Sequence, residues 1–267
     1  MNNVLKKIIE KKKEKLALYK NKYSENKNFE KIKYIKNFLN FKDKLENRNL
    51  EKKVSIIAEI KKASPSAGVI VKEFNHLDLA KIYINNGASF LSVLTEEDFF
   101  LGKLDYIKDI KNKFQIPILC KDFFIEPYQV SLAKSFGADC ILIILSAVEK
   151  SQAKDIYQAA NDLKISTLIE VHDEDEAEFA LSFKDSIIGI NNRNLKSLEI
   201  SLETSVKLSK ILKPHKFPLI SESGINSTND LNFIIKNAKI YNFLIGESLL
   251  KSQNIAEKLK GFSTITL

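Results

Sequence analysis

From residue 54 onward, short apolar runs rich in β-branched residues alternate with stretches of helical periodicity, eight times over. The first two runs are VSIIAEIKK (54–62) and FLSVLT (90–95), and further strands are expected at 117–121, 139–145, 166–171, 187–191, 217–221 and 242–246. Helical spacing fills 77–86, 103–113, 126–136, 149–163, 174–182, 203–212, 227–237 and 252–260. Continuous apolar strands belong to sheets buried on both faces. Strict alternation of strand and helix implies a parallel sheet. Eight such units within residues 54–267 predict a closed (β/α)8 TIM barrel rather than a doubly wound sheet. An internal echo agrees: NNGASFLSVL (85–94) and SFGADCILII (135–144) lie 50 residues apart, two units' worth. Each ends a helix on a glycine, Gly87 or Gly137, where a left-handed backbone costs glycine little.

Residues 1–53 have a different texture. They hold 17 basic and 7 acidic residues, a net of +10, whereas the rest of the chain nets −2. Val4, Leu5, Ile8, Ile9, Leu16 and Tyr19 fall near helical spacing within 4–20. Phe29, Ile32, Ile35, Phe38 and Leu39 mark a second amphipathic stretch, 29–39, and the charged residues 40–53 read as a linker. A basic arm of this kind can serve nucleic acid or an anionic membrane. The interleaved acidic residues and the apolar stripe favour a helical extension packed on the barrel, with no nucleic-acid or membrane partner. Cys120 and Cys140 lie in apolar runs, as reduced core thiols do, and there is no Cys/His cluster with metal-ligand spacing. No apolar run reaches the length of a signal segment or a membrane span. A cytoplasmic, soluble, monomeric protein without a metal is the expectation.

In such a barrel the chemistry belongs at the C-terminal ends of the strands. The expected strand ends carry Glu59 and Lys61, Lys121, Glu170, Asn191 with Arg193, Glu222 with Ser223 and Gly224, and Gly246 with Glu247. Glu59 and Lys61 are two apart and share a face. Lys61, Lys121, Glu59 and Glu170, two lysines and two glutamates, then converge in one partly desolvated mouth, which separates a proton donor from an acceptor. The glycines after the last two strands suit a phosphate held by backbone N–H groups, with the Glu247 carboxylate turned away. Arg193 is one of only two arginines among 42 basic residues, and its planar fork binds anions in a way lysine cannot. His172 follows Glu170 by two but reads as a helix-entry or packing residue. Phe99, Phe100, Phe123 and Phe124 read as core, with one of each pair able to line an aromatic pocket.

These residues also resemble a known family. IIAEIKKASPSAG (56–68) looks like the E-x-K-x-x-S-P-S signature of the indole-3-glycerol phosphate synthases. SVLTEEDFFLG (92–102), ILCKDFFIEPYQV (118–130), LIEVHDEDE (168–176), IIGINNRNL (187–195), LISESGI (219–225) and FLIGESLL (243–250) follow in that family's order. The resemblance implies ring closure of 1-(2-carboxyphenylamino)-1-deoxyribulose 5-phosphate, with loss of carbon dioxide and water and no cofactor. By position it implies Lys121 as general acid, at the substrate carbonyl or the leaving hydroxyl, and Glu170 as base. Lys61 would pair with the substrate carboxylate and donate a proton in one of the two steps. Glu59, Asn191, Ser223 and Glu222 would position these groups, and Arg193 would hold an anionic group. Ser64, Gly224, Gly246 and the N–H of Glu247 would bind phosphate, and Phe100 and Phe123 would line the pocket for the aromatic ring. The catalytic pattern of the related phosphoribosylanthranilate isomerases is not evident, so a monofunctional synthase is expected. A sugar-phosphate isomerase is the competing enzymatic reading, but it needs one acid and one base rather than two lysines and an arginine.

Overall fold

A computed structural model describes residues 3–195 and 197–265. Among these residues, eight parallel strands close into a barrel: β1 (Ser55–Ile60), β2 (Phe90–Leu94), β3 (Ile118–Lys121), β4 (Cys140–Ile144), β5 (Ser166–Val171), β6 (Ile187–Asn191), β7 (Leu219–Glu222) and β8 (Asn242–Ile245). Closure is made by β1, which pairs with β2 on one side and β8 on the other. The expected strands are therefore all present. Side chains alternate as the pleat requires. Ile57, Phe90, Leu119, Leu142, Leu168, Ile187, Ile220 and Leu244 fill one core cluster, inside the barrel. Ile56, Ala58, Ile60, Leu91, Val93, Ile141 and Ile143 join the other, under the surrounding helices. Both faces are apolar, which is why the sequence shows unbroken runs rather than alternation.

Each strand is followed by helix. The outer layer comprises α4 (His76–Asn85), α5 (Asp105–Lys113), α6 (Tyr128–Ser135), α7 (Lys150–Asp162), α8 (Glu174–Ala180), α9 (Glu203–Ile211), α10 (Thr228–Ala238), the short α11 (Glu247–Leu250) and α12 (Ile255–Ser263). Gly87 and Gly137 end their helices at φ +104° and +97°, the left-handed backbone expected of them. The one-turn helix α11 and a two-residue ribbon, Ala63–Ser64 paired antiparallel with Gly68–Val69, are elements the periodicity does not announce.

Three helices precede the barrel: α1 (Asn3–Lys22), α2 (Glu25–Tyr34) and α3 (Phe41–Leu50). Two expectations are corrected here. The stretch 29–39 is not one amphipathic helix. The helix α2 begins earlier and ends at Tyr34, Ile35 turns extended, and the buried residue of α2 is Asn28 while Phe29 is exposed. Nor are residues 40–53 a linker. Asn40 caps α3 by accepting from the Asp43 N–H, and Phe41 and Leu45, four apart on one face, are fully buried. The Phe41 ring lies 4.4 Å from that of Phe90 at the start of β2, so α3 closes the N-terminal end of the barrel. Three apolar residues in ten, one of them the exposed Leu50, are too few to register as a stripe, yet Phe41 and Leu45 suffice as a plug.

Helix α1 packs along the barrel through Leu5, Ile9 and Leu16, together with Tyr128, Leu132 and Phe136. Its lysines pair with acidic residues of the barrel: Lys12 with Asp122, Lys15 with Glu97 and Asp98, and Lys20 with Glu126. Among the described residues, no helix is long and apolar enough to cross a membrane.

Candidate active site

The C-terminal mouth of the barrel opens into a cavity of about 880 Å³. All fourteen residues singled out from the sequence line it: Glu59, Lys61, Ser64, Phe100, Lys121, Phe123, Glu170, Asn191, Arg193, Glu222, Ser223, Gly224, Gly246 and Glu247. Strand parity accounts for this. Glu59, Lys121, Glu170, Asn191 and Glu222 continue the inward-facing rows of Ile57, Leu119, Leu168, Ile187 and Ile220 by one pleat or two.

At the floor of the cavity one ammonium serves two carboxylates. Lys121 Nζ lies 2.8 Å from Glu170 Oε2 and 2.6 Å from Glu222 Oε2. Both glutamates are buried, at 3% and 2% exposure. Burial pulls the Lys121 ammonium down, but Glu170, Glu222 and Glu59 together hold it well above its usual range. Burial drives Glu170 up, yet Lys121 and His172 overcome that and keep it well below the usual carboxylate range. Glu222 goes the other way. Burial outweighs its pairing with Lys121, the Glu170 charge adds to the rise, and its carboxyl is pushed up to about 7. The site thus holds an ionised carboxylate and a carboxyl that titrates near neutrality on either side of one ammonium. Across the cavity, Lys61 Nζ is bound to Glu59 Oε1 at 2.5 Å.

The base candidate is braced from a further side. Asn191 Nδ2 donates to Glu170 Oε1 at 3.1 Å, and the Asn191 amide oxygen accepts from the Arg193 backbone N–H at 3.0 Å. His172, expected as a helix-entry or packing residue, does bind Glu176 in the first turn of α8, and it reaches Glu170 as well. Its Nε2 lies 3.2 Å from Glu170 Oε1 and its Nδ1 lies 3.0 Å from Glu176 Oε2. Burial lowers the imidazole, but the two glutamates raise it to about 9. The spacing Glu170-x-His172 was the available signal, since it puts both side chains on one strand face.

The polar rim lies over the ends of β7 and β8. Ser223 and Gly224 are consecutive residues with left-handed backbone, φ +65° and +80°. That turn is held by buried Asn192, which donates to the Ser223 carbonyl and to Ser221 Oγ, each at 3.0 Å. Gly246 caps α11, whose first N–H groups have no intrahelical acceptor. The Glu247 carboxylate is taken up by Lys251 at 2.6 Å and approached by Arg193 at 3.6 Å. Ser64 stands in the ribbon after β1, where its hydroxyl accepts from the Ala67 N–H at 3.2 Å. On the other side of the mouth, the Phe100 and Phe123 rings lie 6.2 Å apart. Val4, Leu5 and Ile8 of α1 complete the apolar wall. No group of three or more His, Cys, Asp or Glu able to hold a metal occurs among the described residues.

Two glycines owe their identity to this site. A Cβ on Gly246 would sit 2.5 Å from Glu59 Oε1, and a Cβ on Gly189 would collide with Glu222 Oε1 and crowd Leu168. Gly189 has no positive φ, so what stands against alanine is the Glu222 carboxylate together with the Leu168 methyl. Gly189→Ala is expected to cost about 1–3 kcal/mol of stability by overpacking and, by displacing Glu222 from Lys121, to lower turnover about tenfold, as losing about 1.4 kcal/mol from the transition state does. Steady-state kinetics on the folded variant check this, and wild-type rates would mean that Glu222 needs no such room.

The family model for indole-3-glycerol phosphate synthase matches residues 5–262. A protein of Legionella pneumophila (strain Lens) named indole-3-glycerol phosphate synthase is 44% identical over 210 residues, 79% of this chain and 81% of the relative. One of the same name from Endomicrobium trichonymphae is 40% identical over 225 residues, 84% and 85% of the two chains. Among solved structures, KGPDC from Streptococcus mutans superposes with a TM-score of 0.59 at 14% identity, over 79% of this chain and 95% of that one, a likeness of fold alone.

Proposed function

The chain belongs to the indole-3-glycerol phosphate synthase family, and from that premise we propose how its own residues close the indole ring. The reaction joins the ring carbon that bears the carboxylate of 1-(2-carboxyphenylamino)-1-deoxyribulose 5-phosphate to the ketone carbon of the same molecule. Carbon dioxide leaves and its electron pair restores the aromatic ring. The new hydroxyl then departs as water, together with a proton from the neighbouring methylene carbon.

One observation carries the assignment: a half-buried ammonium, Lys121, held between two buried carboxylates at the floor of the cavity. An ammonium has three donors. Two of those of Lys121 go to Glu170 and Glu222, and the third has no partner among the described residues. We assign that donor to the substrate ketone oxygen, where negative charge develops as the carbon–carbon bond forms. A low local dielectric strengthens the effect. Glu170 then takes the methylene proton as the hydroxyl leaves. Lys61, paired with Glu59, meets the carboxylate of the substrate and supplies the proton that the departing hydroxyl needs.

The open-chain substrate must be folded so that its two carbons meet, so holding both ends matters. Phe100 and Phe123 take the aromatic end. Ser64, the turn at Ser223–Gly224, Gly246 and the N–H of Glu247 take the phosphate, and Arg193 adds a planar cation beside them. The Glu247 carboxylate, occupied by Lys251, leaves its N–H for the anion.

The test is direct. Purified protein given the ribulose phosphate substrate in metal-free buffer, with no added cofactor, is expected to yield a fluorescent indole product. Folded protein that turns over none of it overturns the proposal.

A further inference from the structure

We propose that Lys12, on the N-terminal helix, is a positioning residue for the reaction, acting through Asp122 on the segment that carries Lys121 and Phe123. The inference rests on the roles proposed above for those two residues. Its basis is a buried contact. Lys12 Nζ lies 2.6 Å from Asp122 Oδ1, with the two side chains only 2% and 10% exposed.

Asp122 sits between Lys121 and Phe123 in the chain, and its carboxylate is fully engaged. Oδ1 also accepts from the Phe123 N–H at 2.7 Å, and Oδ2 accepts from Thr95 Oγ1 at 2.7 Å. Thr95 in turn donates its backbone N–H to the Lys121 carbonyl at 3.1 Å. One carboxylate therefore ties together the ends of β2 and β3 and the turn that aims Phe123. Lys12 is the counter-charge that this carboxylate meets on the side away from water.

Stability alone does not account for the pair. Two desolvated charges often hold a fold together no better than two apolar side chains of the same volume. What an ion pair adds is direction, because each partner has to sit where the other is. One turn further along α1, Lys15 binds Glu97 at 2.6 Å and Asp98 at 3.1 Å in the loop that leads to Phe100. Both aromatic walls are thus referenced to the same helix, whose first turns already face the cavity.

The experiment measures kcat, KM and melting temperature for wild type, Lys12→Met, the doubly neutral Lys12→Met/Asp122→Asn, and Lys111→Met as a control. Lys111 makes a matched buried pair with Asp139 at 2.9 Å, at the opposite end of β3, next to the Ile118 N–H. It reports what losing a buried ion pair does to stability without touching the mouth. Lys12→Met is expected to lower kcat/KM at least tenfold at a temperature where it is fully folded. The double variant, which removes the stranded charge, should show a similar loss even if Lys12→Met does not fold. Lys12→Arg should restore part of the rate. Lys111→Met should melt earlier yet keep wild-type kcat. The proposal is overturned if the double variant stays within twofold of wild type, or if Lys111→Met loses as much rate. An inactive wild type would instead overturn the functional reading itself.

Discussion

Replacing Lys121 by methionine is expected to lower kcat by about a thousandfold or more, with a smaller change in KM. General acid catalysis by a positioned group is worth about 10²–10⁴ in rate, and the loss of a preorganised charge beside the developing oxyanion adds to that. Methionine keeps the length and the packing, so the cavity keeps its shape. The effect on stability should be pH-dependent and has a definite sign. Without the ammonium, Glu170 and Glu222 face one another with no cation between them. Burial and mutual repulsion then push their carboxyls up, beyond the value of about 7 that Glu222 already has in the wild type. A carboxyl whose folded value is raised contributes stability below its unfolded value of about 4.3, and loses it as the pH rises through the folded value. Denaturant unfolding should therefore show Lys121→Met falling further behind wild type at pH 8.5 than at pH 6. Turnover within tenfold of wild type would remove Lys121 from the chemistry.

The reason such a residue is legible in the sequence is topological. A (β/α)8 barrel brings every strand's C-terminal end to one rim, so polar residues far apart in the chain are neighbours by construction. Glu59, Lys121, Glu170 and Glu222 needed only the strand positions and their parity to be placed. The barrel strands were equally legible, because both of their faces are buried and the apolar runs are unbroken. What stayed hidden depends on particular partners. Phe41 and Leu45 close the barrel floor from a helix whose other residues are mostly polar, so no stripe marks it. Lys12 looks like any of the forty lysines until its carboxylate partner is seen. Gly189 looks like an ordinary strand glycine and Gly246 reads only as a phosphate-loop glycine; the side chains beside them explain why a methyl group has no place there. His172 shares a face with Glu170 in the sequence, but its second partner, Glu176, arrives only when α8 turns back against the strand end. The N-terminal charge of +10 was a weaker guide. In the fold its useful members are three lysines of α1 matched to acidic loops at the mouth.

Glu170→Gln is the complementary change, and it is expected to lower kcat by about a hundredfold to a thousandfold, in the range of a lost general base. The carboxylate oxygens of Glu170 accept from Lys121 and Asn191, and His172 stands 3.2 Å from one of them. Glutamine offers only one accepting oxygen, so its amide N–H₂ must face one of these donors. It also cannot take the methylene proton. A second readout follows from His172. In the wild type the imidazole is raised to about 9 by Glu170 and Glu176 against the pull of burial. A histidine raised on folding contributes stability that is fully present below its unfolded value of about 6.5 and is lost as the pH climbs through its folded value. Wild-type protein should therefore lose part of its stability between about pH 6.5 and about 9. In Glu170→Gln only Glu176 still holds the charge on His172, so its titration should move down and that loss should shrink. Unfolding free energies measured from pH 6 to pH 9.5 on the two proteins decide the point. Parallel curves would show that His172 is held by Glu176 alone, and would detach it from the base that this geometry places beside it.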